Sequence, residues 1–112
     1  MYVPAHFKPD DDAVRALLRH IGAADLITAT ADGLLSTMLP LVHDEPGGPG
    51  LGPWGALQGH VARNNAQWRA APIGEAMVII RGPDAYISPG WYETKREHGR
   101  VVPTWNYITA HA

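Results

Sequence analysis

Three short segments combine hydrogen-bonding side chains with large aromatic rings, and this composition is typical of small-molecule binding sites. They read GHVARNNAQW (residues 59–68), ISPGWY (87–92) and VPTWNY (102–107). Each lies where we expect a strand to end or begin. Aromatic faces, amide and hydroxyl groups and neighbouring cations together suit a planar heterocycle that carries a phosphate. We therefore predict a single site built from all three segments.

The first of these segments suggests where an anion would bind. Asn64 or Asn65 suits the N-cap of a short helix, and Arg63 comes directly before them. Backbone N–H groups at a helix start attract anions, and a guanidinium can hold two phosphate oxygens at once. An alternative remains open, in which Arg63 pairs with a neighbouring carboxylate and Asn64 only caps the helix.

The sequence lacks the patterns of self-contained catalysis. It has no Gly-x-Ser-x-Gly turn, no cysteine and no paired carboxylates beside strand ends, so no residue can be assigned as nucleophile, acid or base. The six histidines show no i, i+4 pair and no HExxH motif. One metal hypothesis stays open, a site built from His43, His60 and His111 across neighbouring strands.

Composition indicates one ordinary globular domain. The chain has 112 residues, 46% of them hydrophobic, with a net charge of -2 and no cysteine. This charge provides no general attraction to nucleic acid, so DNA contact would need a local basic patch or a partner. The absence of cysteine, of a signal-like start and of a long apolar run leads us to expect a cytoplasmic protein outside the membrane.

The first half of the chain predicts a helix followed by a hairpin. Acidic residues after Pro9 suit a helix start, and apolar residues at three-and-four spacing predict a helix over residues 11–20. Residues 26–42 alternate as two strands with Asp32-Gly33 as the turn. Pro40 cannot donate to a ladder, so it indicates an edge or a bulge. Residues 44–53 are rich in Gly and Pro and predict an irregular excursion.

The second half predicts further strands with short helical insertions. We expect strands over residues 56–62, 75–82, 85–88 and 101–110, and a solvated loop or single helical turn over 93–100. One helix followed by about six strands, without strand–helix alternation, favours an antiparallel barrel or sandwich. The predicted fold class is therefore mainly β, with an N-terminal helix and short helical insertions.

Four motifs across the chain resemble one known family. They are MYVPAHF (1–7), GHVARN with QW (59–68), GPDAYISP with WY (82–92) and VVPTWNY (101–107). In this order they are similar to the PaiB-type, FMN-binding negative transcriptional regulators. The resemblance implies an antiparallel split β-barrel of the pyridoxine 5′-phosphate oxidase type, forming a homodimer with FMN in clefts between subunits. It also implies a regulatory role, although relatives with this barrel are mostly flavin enzymes.

The resemblance also implies which residues contact FMN. They are Thr37, His60, Arg63, Asn64, Ser88, Trp91, Tyr92, Lys95, Thr104 and Asn106. Family members usually continue past this length with further barrel strands, a helix and a basic segment. They also commonly have serine where this chain has Gly90.

Three hypotheses about function follow from these patterns. The leading one is an FMN-binding split-barrel protein that could also perform flavin-dependent oxidation or reduction. The second is a transcriptional repressor that acts through DNA or a protein partner without flavin chemistry. The third is the histidine metal site described above.

Overall fold

The computed structural model describes residues 3–102 and 107–111, and in them the chain forms one antiparallel sheet with short helices. The helices are a 3-10 helix (Ala5–Phe7), α1 (Asp11–Arg19), two further 3-10 helices (Ala66–Trp68 and Pro89–Trp91) and α2 (Thr94–His98). The strands are β1 (Ala23–Thr30), β2 (Gly33–Asp44), β3 (Ala56–Gly59), β4 (Met77–Arg81) and β5 (Tyr107–His111). The strand order is β3-β2-β1-β4-β5. The predicted mainly β, antiparallel class with an N-terminal helix is confirmed.

The sheet curls around one face and forms a half-barrel, which is consistent with the predicted split barrel. Its two edge strands, β3 and β5, line the same cavity of about 640 Å³. The core lies on this inner face. Its buried members are Leu18, Ala24, Leu39, Leu41, Val78 and Ile80.

Helix α1 covers part of the inner face and begins as the sequence predicts. The side chain of Asp10 accepts a hydrogen bond from the backbone N of Ala13 at 2.8 Å, which satisfies one free donor of the first turn. Leu18 is the buried residue of the helix. At the far end, Arg19 Nε donates to Glu45 Oε1 at 2.5 Å. This hydrogen bond lowers the pKa of the Glu45 carboxyl, so the pair that ties α1 to the end of β2 stays charged at neutral pH.

The hairpin between β1 and β2 is confirmed, with its turn shifted by one residue. Thr30 pairs with Gly33, so the two loop residues are Ala31 and Asp32 rather than Asp32 and Gly33. Gly33 has a φ of 119°, which a residue with a side chain rarely adopts. Pro40 is the last residue of β2 that pairs with β1, and pairing with β3 starts at Leu41. The prediction of an edge position at Pro40 fits this change of partner.

Three of the predicted strands differ from the structure. In the strand predicted over 101–110, residues 101–102 are not in a strand, and the described strand is Tyr107–His111. Residues 85–88, flanked by Pro83 and Pro89, adopt no regular strand, because they find no partner among the described residues. The strand predicted over 56–62 ends at Gly59, and the following residues turn toward the 3-10 helix. Five strands are therefore described where about six were expected.

The described residues contain no helix that is both long and apolar enough to cross a membrane.

Candidate functional site

A polar network lies beneath the predicted anion-binding segment, on the inner face of the hairpin. Gln67 is 8% exposed, and its Nε2 donates to Thr28 Oγ1 at 2.8 Å. Its Oε1 accepts from Thr37 Oγ1 at 3.1 Å. Asn65 Nδ2 donates to the same Thr37 hydroxyl at 3.2 Å. The network therefore joins both strands of the hairpin to residues 60–68, which we call the corner.

Thr37 has a structural role in this network. Its hydroxyl donates to Gln67 and accepts from Asn65, so it holds the corner on β2. Thr37 is also among the residues that the family resemblance predicts to contact FMN, and that role stays a prediction. Gln67 is not among the predicted site residues. A sequence signal for Gln67 exists in Thr28 and Thr37. Both lie at strand positions whose side chains point to the inner face of the sheet, and a hydroxyl there needs a polar partner.

Two arginines and an indole make the outer surface of the corner cationic. Arg69 Nη2 and Trp68 Nε1 both donate to the carbonyl of Arg63, at 2.8 and 2.9 Å, which fixes the backbone there. The Arg69 guanidinium lies 5.3 Å from the centre of the Trp68 ring. Residues 59–74 contain no Asp or Glu. An anion that reaches this surface meets guanidinium groups without a competing carboxylate on the same segment.

The structure tests both alternatives for Arg63 and the asparagines that follow it. Asn65, not Asn64, caps the 3-10 helix, because its Oδ1 accepts from the backbone N of Gln67 at 2.7 Å. Among residues 3–102 and 107–111, the exposed Arg63 guanidinium forms no ion pair, so the carboxylate alternative finds no support. A three-residue helix has little dipole, so an anion here would rely mainly on the arginines. Asn64 is exposed beside them.

A second group of predicted residues lies on residues 83–102, which we call the arm. Ser88 Oγ accepts from Gly90 N at 3.3 Å and caps the 3-10 helix Pro89–Trp91. Trp91 and Tyr92 are 70% and 42% exposed. Lys95 Nζ donates to the carbonyl of Gly99 at 2.8 Å, at the end of α2. Aromatic faces, a hydroxyl and an ammonium group are thus displayed together on the arm.

The corner and the arm are not bonded to each other in the part of the chain that the structure describes. Between described residues, no hydrogen bond or ion pair joins the corner to the arm. Thr104 and Asn106 lie outside the described residues, so their predicted contacts stay predictions. Within the described residues, the predicted site therefore forms two groups with no hydrogen bond or ion pair between them.

The remaining predicted residue, His60, lines the inner cavity. His43 and His111 line the same cavity, as the metal hypothesis requires. Across the described ranges, however, no group of three or more His, Asp or Glu is arranged to hold a metal ion. His43 instead donates from Nε2 to the carbonyl of Trp54 at 2.7 Å, since a carbonyl can only accept. The metal hypothesis loses its geometric basis.

Comparison with known proteins supports the resemblance found in the motifs. The family model described as "Putative FMN-binding domain" matches residues 1–112. The chain belongs to this family. FMN is thus the cofactor of the family, and the predicted relationship is confirmed.

Two relatives match nearly the whole chain. Protease synthase and sporulation protein PAI 2 of Bacillus subtilis is 32% identical over 113 residues, which cover 99% of this chain and 50% of the relative. Uncharacterized protein AN0679 of Emericella nidulans is 32% identical over 136 residues, covering 100% of this chain and 54% of the relative. The chain spans about half the length of both relatives.

The side chains on display fit the family's cofactor chemically. FMN needs cationic groups for its phosphate, flat apolar contact for its ring system, and hydrogen-bond partners for the polar ring edge. Arg63 and Arg69 offer cationic groups for the phosphate, and the exposed Trp91 and Tyr92 offer flat apolar contact for the ring system. Asn64 supplies an exposed amide that can hydrogen-bond to the polar ring edge.

Proposed function

We propose that this protein binds FMN with the phosphate at the corner and the ring system against the aromatic residues of the arm. The observation that carries this proposal is the corner itself, where Arg63 stands exposed on a backbone fixed by Trp68 and Arg69. Below it, Gln67 and Asn65 hold the segment on the hairpin. A seat that is rigid before binding loses less entropy when the ligand arrives.

The separation of corner and arm favours a homodimer as the binding unit. Within the described residues, Arg63 and Arg69 lie at the corner and Trp91 and Tyr92 lie on the arm, with no hydrogen bond or ion pair between the two groups. A second copy can bring its arm to the corner of the first. The twofold arrangement then forms two equivalent sites, as isologous dimers do.

Redox activity is the reaction class that follows from this cofactor. When bound, FMN supplies reversible one-electron and two-electron chemistry. The chain's own residues would bind and orient the cofactor, through Arg63 and Lys95 as cations and Trp91 and Tyr92 as apolar contacts. The described part of the chain offers no side chain whose geometry marks it as a general acid or base, so the substrate class stays open.

FMN titration of the cofactor-free protein tests the proposal directly. We expect visible flavin absorbance and quenched flavin fluorescence on binding. The substitution Arg63→Gln should weaken FMN affinity by about 10- to 100-fold, since a charge-assisted hydrogen bond to phosphate is lost. Titration of riboflavin, which lacks the phosphate, should show a much smaller effect of the same substitution.

Arg19→Gln is the matched control, because Arg19 is an exposed arginine of α1 that pairs with Glu45, away from the corner. It should leave FMN affinity nearly unchanged. A wild-type protein that takes up no FMN would overturn the flavin proposal. Normal FMN binding by Arg63→Gln would instead show that the phosphate lies elsewhere.

A regulatory role through DNA or a protein partner is the second candidate. It is supported by the name of the Bacillus subtilis relative, which concerns protease synthesis and sporulation. The arm carries the exposed basic residues Lys95, Arg96 and Arg100, but Glu93, Glu97 and Asp84 on the same segment offset their charge. If the basic residues bind DNA despite these carboxylates, the protein should be retained on a DNA column at low salt and released steeply as salt rises. Absence of retention at low salt would remove the DNA version. The cytoplasmic location stays a prediction.

A further inference from the structure

The inner cavity of the half-barrel has no role in the proposed function, which places FMN at the corner and the arm. Its volume of about 640 Å³ lies within the range of pockets that hold whole small molecules. The sheet lines it with the buried residues Leu39, Leu41 and Val78, and α1 lines it with Leu18. Protein interiors are otherwise close-packed, with few voids larger than a water molecule. A space of this size beside the core therefore suits an occupant.

Trp54 forms one wall of the cavity and is held there by two other elements. His43 Nε2 on β2 donates to the carbonyl of Trp54 at 2.7 Å. The guanidinium of Arg15 on α1 lies 4.7 Å from the centre of the Trp54 ring. The next residue, Gly55, has a φ of 80°, and a side chain there would collide with the carbonyl of Asp44. Specific contacts thus fix this wall, although Trp54 is 43% exposed.

The lining of the cavity favours a neutral ligand. None of the described residues that line it is Asp, Glu, Lys or Arg. A charged ligand placed there would lose its hydration without gaining a partner of opposite charge. The walls are mainly aliphatic and include Leu26, Leu57 and Val61. An apolar ligand gains free energy in proportion to the area that these side chains remove from water.

Three histidines give the cavity its few hydrogen-bonding side chains. His43 already donates to Trp54, and its Nδ1 is buried without a partner among the described residues. His111 Nδ1 lies 3.8 Å from Glu75 Oε2. His60 is exposed, and no other described residue forms a hydrogen bond with its ring. A neutral imidazole offers one donor and one acceptor, so His60 can meet one polar group of a ligand.

We propose that the inner cavity binds a neutral, largely apolar small molecule whose single polar group meets His60. The site is separate from the proposed FMN site but adjoins it, because His60 and Val61 belong to both the corner and the cavity lining. A small molecule is favoured over a polypeptide segment. Such a segment would bring one backbone N–H and one C=O with nearly every residue, and the lining side chains offer few groups to satisfy them.

Two fluorescent probes with the same ring system test the site in cofactor-free protein. N-Phenylnaphthylamine is neutral and carries one N–H, whereas anilinonaphthalene sulfonate adds a negative charge to the same rings. Both fluoresce strongly only in apolar surroundings. We expect one molecule of the neutral probe to bind per chain with a micromolar Kd, and the sulfonate to bind at least about 10-fold more weakly.

The substitution Ala110→Phe places a ring in the cavity. Ala110 pairs with the buried Val78, so the two side chains lie on the same, inner face of the sheet. The neutral probe should then bind at least about 30-fold more weakly, because the ring occupies its space. Thr109→Phe is the matched control, since it adds the same ring on the opposite face of β5, and it should leave probe binding nearly unchanged. Circular dichroism of both variants checks that the sheet still forms.

The substitution His60→Leu tests the polar contact. It should weaken binding of N-phenylnaphthylamine by about 3- to 10-fold, because a hydrogen bond is lost. Binding of phenylnaphthalene, which lacks the N–H, should be nearly unchanged. An equal loss for both compounds would contradict the role given to His60.

Several outcomes would overturn the cavity site. They are a wild type that binds no neutral probe, a sulfonate that binds as tightly, and equal effects of the two Phe substitutions. Displacement of the probe by an equimolar amount of FMN would show instead that the cavity is the flavin pocket. A change in association state caused by Ala110→Phe, in a protein that takes up no probe, would mean that a second chain fills the cavity. Since probe binding is measured without FMN, its result stands whether or not the flavin proposal holds.

Discussion

Replacing Gln67 with leucine is expected to lower the free energy of unfolding by about 2–4 kcal/mol, although the side chains are similar in size. Gln67 donates to Thr28 Oγ1 at 2.8 Å and accepts from Thr37 Oγ1 at 3.1 Å, and leucine can form neither hydrogen bond. The residue is only 8% exposed. The two threonine hydroxyls then lose partners that water cannot readily replace. Urea unfolding followed by tryptophan fluorescence measures the loss.

The companion variant separates lost hydrogen bonds from lost packing. Adding Thr28→Val and Thr37→Val to Gln67→Leu removes both partners of the two Gln67 hydrogen bonds and leaves only the partly buried Asn65 Nδ2 without its acceptor. Buried polar pairs replaced by apolar groups of the same shape can be nearly neutral. The triple variant should therefore recover much of the stability. Equal stability of wild type and Gln67→Leu would show that the network does not form in solution.

The single substitution Gln67→Leu should also weaken FMN binding, although Gln67 itself does not face the cofactor in the proposed site. Gln67 and Asn65 hold the corner on β2, and Arg63 stands on the outer side of that corner. A loosened corner must be ordered when the ligand binds, and this ordering costs affinity. The stability effect and the affinity effect would share one structural cause.

The class of fold could be predicted from the sequence because its signals are local. Asp10 and the acidic residues after it mark the start of α1 through capping, which depends only on neighbours in the chain. The hairpin of β1 and β2 follows from alternation and a glycine with positive φ. Residues 85–88 have the same kind of strand pattern, yet they form no strand in the single chain. A strand needs a partner, and pattern alone does not provide one.

Candidate residues for the site could be named from the sequence, but their arrangement in the fold could not. The composition of residues 59–68 indicated an anion-binding corner, and the structure shows exposed guanidinium groups there. Gln67 was not predicted because its role depends on a hydrogen bond to Thr28, which is distant in the sequence and meets Gln67 only in the folded chain. The separation of corner and arm could not be predicted either, because it depends on where the arm leaves the sheet.

Leu18→Ala is expected to destabilise the protein by about 2–5 kcal/mol, the range for a buried leucine truncated to alanine. Leu18 is 7% exposed and is the residue through which α1 enters the core. For a domain of this size the loss is a large fraction of the total stability. Leu17→Ala is the matched control, since it changes the same residue type in the same helix at a partly buried position. Chemical unfolding of both variants should show a clearly smaller loss for Leu17, because helix propensity changes equally in the two. Equal losses would mean that α1 docks on the sheet through a different face, and the inner cavity beneath it would then have a different wall.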